Sequence, residues 1–198
     1  MDWIFLLISY LIGSFSFSIW IGKHWYGIDV RTHGSGNAGA TNTLRTFGKK
    51  TAIFVAIGDI LKGAVAAFLP IFFNVEISPL VVGMMAVIGH CFPIYYGFKG
   101  GKAIAPTAGV LLIWNPIWSL IVYGGFFLVI FLTRYVFLGS LSIGITLTFL
   151  SMQAEEWRTS VFFGFFTIFL LFLHRTNIRN YLHRVEPTIS HKDVKREV

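Results

Sequence analysis

Apolar residues in this chain come in long unbroken blocks, not in the spaced stripes of a soluble helical domain. Six blocks stand out, at 3–22, 51–75, 77–98, 103–133, 135–154 and 159–173. Runs of about 18 or more such residues are long enough to cross a bilayer as helices, so the pattern predicts an all-α integral membrane protein. The fourth block is 31 residues long, and Asn115-Pro116 divides it. Proline removes a helical hydrogen bond and pushes the residue before it out of helical geometry. Splitting there predicts seven spans, near 3–22, 51–73, 77–97, 103–114, 116–133, 135–153 and 159–173. They form a single polytopic domain over 1–198, with a polar tail at 187–198.

The segment 103–114 is unusual. At about 1.5 Å per residue it covers only about 18 Å of a ~30 Å hydrocarbon core. It reads as a half-length helix that follows the glycine-rich loop Phe98-Lys-Gly-Gly-Lys102. A helix N-terminus below the membrane surface carries partial positive charge and N–H donors, which favours an anion.

Charge orients the chain. The net charge is +7, from 16 Lys and Arg against 9 Asp and Glu, and charged residues make up 13%, where soluble domains carry about 25%. With an outside N-terminus and seven spans, fourteen of the sixteen basic residues fall in inner loops or in the inner tail. Lys62 lies inside a span and Arg158 lies outside, beside Glu155 and Glu156. Six spans would move Arg134 and the basic tail outside, against the positive-inside rule. Basic loops of this kind set orientation, so no nucleic-acid partner is expected. The first span lacks a basic leader and a small-residue cleavage site, and reads as retained. The lone Cys91 leaves no internal disulfide and no multi-cysteine metal site.

Three polar segments then fall on the cytoplasmic side. The first is Gly34-Ser-Gly-Asn-Ala-Gly-Ala-Thr-Asn-Thr-Leu-Arg45. Its glycines match G-x-G-x-x-G in spacing, but that fingerprint needs a strand inside a βαβ unit, and here a membrane helix precedes it. What is left is a run of small hydroxyl and amide side chains ending in Arg45, suited to a polar ligand. In the second segment, Gly89 to Thr107, Gly100 and Gly101 are expected to bring backbone N–H groups close to a phosphate, with Lys99 and Lys102 supplying charge. It is not a nucleotide P-loop, because no Ser or Thr follows Lys102. In the third, His174 and Asn177 are three apart and share a face if the helix continues. Asp59 and Lys62 are ionisable inside a span, where such groups default to function; an intrahelical ion pair that helps helices pack is the simpler reading. His90 reads as a packing residue. No metal motif, nucleophile elbow or H-x-x-x-x-D acyltransferase signature occurs, so no cofactor or metal is expected.

Ser35 to Arg45, Gly89-His90…Pro93…Phe98-Lys-Gly-Gly-Lys102 and His174-Arg-x-Asn177-Ile178…Glu186 resemble the three cytoplasmic motifs of the bacterial acyl-phosphate glycerol-3-phosphate acyltransferases of PlsY type. Asn180 stands where that family usually has Arg, Arg184 where it has Gly, and Pro106 where Thr is common. The resemblance implies a multi-pass protein of the bacterial inner membrane with its site on the cytoplasmic side. It would transfer an acyl group from acyl-phosphate to the 1-hydroxyl of glycerol 3-phosphate in phospholipid synthesis. Ser35, Asn37, Arg45, His174 and Asn177 would hold glycerol 3-phosphate. Gly100, Gly101 and Lys102 would hold acyl-phosphate, Lys102, His174 and Asn177 would serve catalysis, and Glu186 would brace the third motif. The implied partners are both substrates and membrane lipid, and whether a soluble acyl-phosphate synthase docks on the basic face stays open. An organophosphate transporter and a lipid-phosphate phosphatase remain open as rival readings. Without a placed cysteine or elbow serine, direct attack by the acceptor hydroxyl is expected, its proton passing to His174 or to a substrate phosphate.

Overall fold

The structure, a computed structural model, describes residues 2–189. Residues 190–198 of the expected polar tail, with the inner charges Lys192, Lys195 and Arg196, lie outside the described residues. The chain is all-helical, with no strand among the described residues, and divides into two compact units that meet in sequence at Asn115 and Pro116.

In the first unit, α1 (Asp2–Ser14) and α2 (Phe17–Trp25) share one apolar block. The block breaks at Phe15-Ser16 because serine hydroxyls compete for backbone partners. Ser14 Oγ donates to the Tyr10 carbonyl at 2.8 Å, and Ser16 Oγ caps α2 by accepting from the Ile19 N–H at 3.4 Å. A single turn of 3₁₀ helix at Val30–Thr32 leads to α3 (Ala40–Phe47) and then α4 (Lys49–Phe72). Next come α5 (Pro79–Cys91) and α6 (Ile104–Trp114). The apolar block expected to run to 97 stops being an α-helix at Cys91, because Pro93 restricts Phe92 to a non-helical conformation.

Helix α4 turns Phe54, Ile57, Leu61, Val65, Phe68 and Phe72 outward and buries Asp59 and Lys62 on the opposite side. An apolar stripe at helical spacing suits lipid, and charges turned inward suit a membrane helix. Helix α4 packs on α5 and α6, and α1 packs on α5. Small residues set the approach: a Cβ on Gly63 would enter the Pro106 carbonyl, and one on Gly109 the Ile60 carbonyl.

The second unit holds α7 (Pro116–Thr133), α8 (Val136–Gln153), α9 (Trp157–Leu173) and α10 (Arg175–Leu182). Helices α7 and α9 both pack on α8, and Thr148 and Thr167 share a hydroxyl hydrogen bond at 3.1 Å. The chain bends by 57° between α9 and α10, at His174. Among the described residues, five segments can cross a membrane by length and composition, or six if the bent pair counts as one span; the 11-residue α6 is too short for this test.

Candidate active site

The first polar loop is organised by Asn42, which is fully buried. Its Oδ1 accepts from the Ser35 N–H at 2.9 Å, while its Nδ2 donates to the carbonyls of Val30 at 2.9 Å and His33 at 3.0 Å. One side chain therefore folds 30–35 into a fixed curve. It leaves Ser35 exposed and Asn37 half-buried. Arg45, near the end of α3, is buried. Beneath the loop, Ile19, Val30 and Ala38 form an apolar anchor flanked by Phe47 and Tyr96.

Arg31 ties this loop to the second one. It makes a two-pronged contact with Asp29, Nε to Oδ1 at 3.0 Å and Nη2 to Oδ2 at 2.8 Å. Its Nη1 donates to the carbonyls of Tyr96 at 2.7 Å and Lys99 at 3.3 Å. The Ala38 N–H adds a bond to the Gly100 carbonyl at 3.4 Å. The hydrogen bond from Arg31 outweighs burial and holds the Asp29 carboxyl at about 2, below its ordinary 3.8. A depressed folded-state pKa contributes stability that is complete above the unfolded value and fades as pH falls toward the folded one. The stability gap between wild type and Asp29→Asn should therefore stay constant above about pH 4 and narrow as pH falls from 3.8 toward 2. Thermal unfolding in detergent across that range measures it.

The second loop departs from expectation. The Gly100 N–H donates to the Cys91 carbonyl at 3.1 Å and the Gly101 N–H to the His90 carbonyl at 2.9 Å. Neither donor is free for a phosphate. The carbonyls at the C-terminal end of α5 need partners once Pro93 ends the helix, and the two glycines supply them. Glycine is required here for close approach, since a Cβ on Gly100 would enter the His90 carbonyl and one on Gly101 the His90 ring. Phe98 and Ala103 flank Lys99 to Lys102 with positive φ, 59° and 72°, a strain that non-glycine residues bear only where the surroundings impose it. Lys102 is half-buried at the entry to α6. Pro106 stands third in α6, so that helix end offers one N–H fewer than expected.

Beneath this loop, Lys62 joins three elements. Its Nζ donates to the Phe15 carbonyl at the α1–α2 break at 2.8 Å and to His90 Nδ1 at 2.9 Å, and forms an ion pair with Asp59 Oδ1 at 2.7 Å. Asp59 and Lys62 thus pair within α4, and the pair also grips α5 and the chain break.

The third motif belongs to the second unit. His174 is buried at the bend, and its Nδ1 lies 2.9 Å from the Leu170 carbonyl. A carbonyl only accepts, so Nδ1 carries a hydrogen. Asn177 Nδ2 donates to Glu186 Oε1 at 2.6 Å, pinning the segment after α10 back onto it. The Ile189 N–H reaches the Arg134 carbonyl at 2.9 Å, and Tyr181 packs edge-on against Tyr135.

Sequence reasoning missed Arg31, read only as an orientation charge, and Asn42, passed over for Asn37. The Asp29-x-Arg31 spacing was the available signal for the first.

Among solved structures, the chain is similar to PlsY (YgiH), an integral membrane glycerol 3-phosphate acyltransferase. The glycerol 3-phosphate form aligns with a TM-score of 0.85 at 31% identity, covering 93% of this chain and 94% of that one. The lysophosphatidic acid form aligns at 0.82 and 30%, covering 93% of each. The class is therefore that of the integral membrane acyltransferases. Glycerol-3-phosphate acyltransferases of Bacillus cytotoxicus and Bacillus subtilis strain 168 are 43% and 42% identical over 185 and 184 residues. Those alignments cover 93% of this chain and 93% and 95% of the relatives. The glycerol-3-phosphate acyltransferase family profile matches residues 3–184, and the chain belongs to that family.

Proposed function

We propose that this protein transfers an acyl group from acyl-phosphate to the 1-hydroxyl of glycerol 3-phosphate, as the entry step of phospholipid synthesis. The observation that carries this reading is the Arg31 clasp, which holds the loop bearing Ser35 and Asn37 against the loop that leads to Lys102. Two anionic substrates call for two polar, basic loops held in fixed register. Lys102 binds the donor phosphate, with Gly100 and Gly101 shaping its loop. Ser35, Asn37 and Arg45 serve the acceptor, and by the family resemblance so do His174 and Asn177, with Glu186 steadying Asn177.

The acceptor hydroxyl attacks the acyl carbon directly. The carbon–oxygen bond to phosphate breaks, phosphate leaves with the electron pair, and a phosphate oxygen takes the hydroxyl proton. Orientation and charge stabilisation then do most of the catalysis. By the same family resemblance His174 is a phosphate ligand in this step, not the base.

Purified protein given both substrates should yield lysophosphatidate and inorganic phosphate. Phosphate without acylated product would indicate a phosphatase, neither product a transporter, and a stoichiometric phosphate burst without acceptor an acyl-enzyme. Lys102→Ala and Arg45→Ala should each lose a charge-assisted contact of about 1.5–3 kcal/mol, or about tenfold to hundredfold in activity at limiting substrate. Lys99→Ala should lose less, because its exposed side chain leaves the clasp to its carbonyl.

The orientation belongs to the same reading: seven spans with α6 as the short one, an outside N-terminus, an inner C-terminus and a cytoplasmic site in the bacterial inner membrane. There a soluble synthase would deliver acyl-phosphate. A cysteine placed at Glu155 should label from outside and one at Gly36 only from the cytoplasm. The reverse pattern would overturn the topology.

A further inference from the structure

His90 is 4% exposed, yet packing does not account for its polar edge. Its Nδ1 lies 2.9 Å from Lys62 Nζ and 3.5 Å from Asp59 Oδ1. The shorter contact decides the tautomer. An ammonium only donates, so Nδ1 accepts and the ring hydrogen of the neutral imidazole is on Nε2. No acceptor for that Nε2–H occurs among the described residues. A donor with no acceptor inside the protein is open to a ligand oxygen.

The Nε2 edge lies against Gly101, where a Cβ would overlap it. Gly101 spends its own N–H on the His90 carbonyl at 2.9 Å. Glycine at this position therefore lets the loop close against the ring without displacing its side-chain donor. The Lys62 charge behind the ring makes Nε2–H a stronger partner for an anion. Lys102 follows Gly101 directly.

We propose that His90 is a binding residue for the phosphorylated donor, its Nε2–H donating to an anionic phosphate oxygen that it shares with Lys102. Lys62 is the positioning residue that fixes the tautomer. This rests on the acyl-phosphate reading above, and the test separates the two: wild type that makes no lysophosphatidate from both substrates defeats that reading whatever His90 does.

With active wild type in hand, His90→Phe keeps a ring and removes the donor, while His90→Gln keeps an N–H at similar reach. His90→Phe should raise the KM for acyl-phosphate by about tenfold to hundredfold, the size of a lost hydrogen bond to a charged group. The KM for glycerol 3-phosphate should not change, and His90→Gln should recover most of the loss. Inorganic phosphate should raise the unfolding temperature of wild type and of His90→Gln more than that of His90→Phe. An unchanged donor KM in His90→Phe, equal rises in both KM values, or a glutamine variant as poor as the phenylalanine one would overturn the proposal. Should His90→Phe fail to fold, His90→Asn replaces it: its amide oxygen can still meet Lys62 but its side chain is too short for the loop. The same rise in donor KM is then expected, and wild-type donor KM in that variant would overturn the assignment.

Discussion

Lys62→Met should lower the stability of the detergent-solubilised protein by about 3–5 kcal/mol, because removing one partner of a buried ion pair strands the other. Asp59 and Lys62 are both buried, at 1% and 5% exposure. The loss has three parts: Asp59 is left with an uncompensated charge, the Phe15 carbonyl loses its donor, and His90 loses the partner that fixes its tautomer. Combining Lys62→Met with Asp59→Asn should recover much of the loss, since a neutral buried pair avoids the stranded charge. Thermal unfolding of the single and double variants measures both. A single variant within about 1 kcal/mol of wild type would show that the pair is hydrated and that its burial has been misjudged.

Gly101→Val should all but abolish activity, and the cause is packing rather than a blocked phosphate cradle. The new side chain would occupy the space of the His90 ring, which Lys62 holds in place, so the loop must move instead. Overpacking of this kind costs about 1–3 kcal/mol, and a displacement of about 1 Å can lower turnover by about 10²-fold. Gly97→Ala is the matched control. Its Cβ meets nothing within 4 Å, but its φ is +67°, so a left-handed backbone penalty of about 1–2 kcal/mol should appear in stability with activity largely kept. Gly101→Val retaining more than about a tenth of wild-type turnover, less than the expected 10²-fold loss, would refute this account.

Much of the architecture is legible in the chain because a bilayer imposes long apolar runs, and interruptions such as Asn115-Pro116 need no tertiary information. The break at Phe15-Ser16 is different. Its exposed carbonyl is acceptable only because Lys62, 47 residues away, supplies a donor, and no local pattern reports that. For the same reason Gly100 and Gly101 looked like free donors. Their occupation follows from where Pro93 ends α5, a matter of three-dimensional proximity. The basic character of the loops was readable, but the register between them was not, because the guanidinium of Arg31 works on backbone carbonyls, which carry no side-chain signature. Asn42 was hidden in a run of similar small polar residues until its burial singled it out.

Helices α4 and α6 meet glycine to carbonyl at both Gly63–Pro106 and Gly109–Ile60. Backbones that close leave no crevice for a hydrocarbon tail, and neither helix can rotate without driving a carbonyl into its neighbour. If Lys102 holds the donor as proposed, its fatty chain cannot arrive by parting this pair. The seam works as a sealed wall, and selection for chain length must act on other surfaces of the protein.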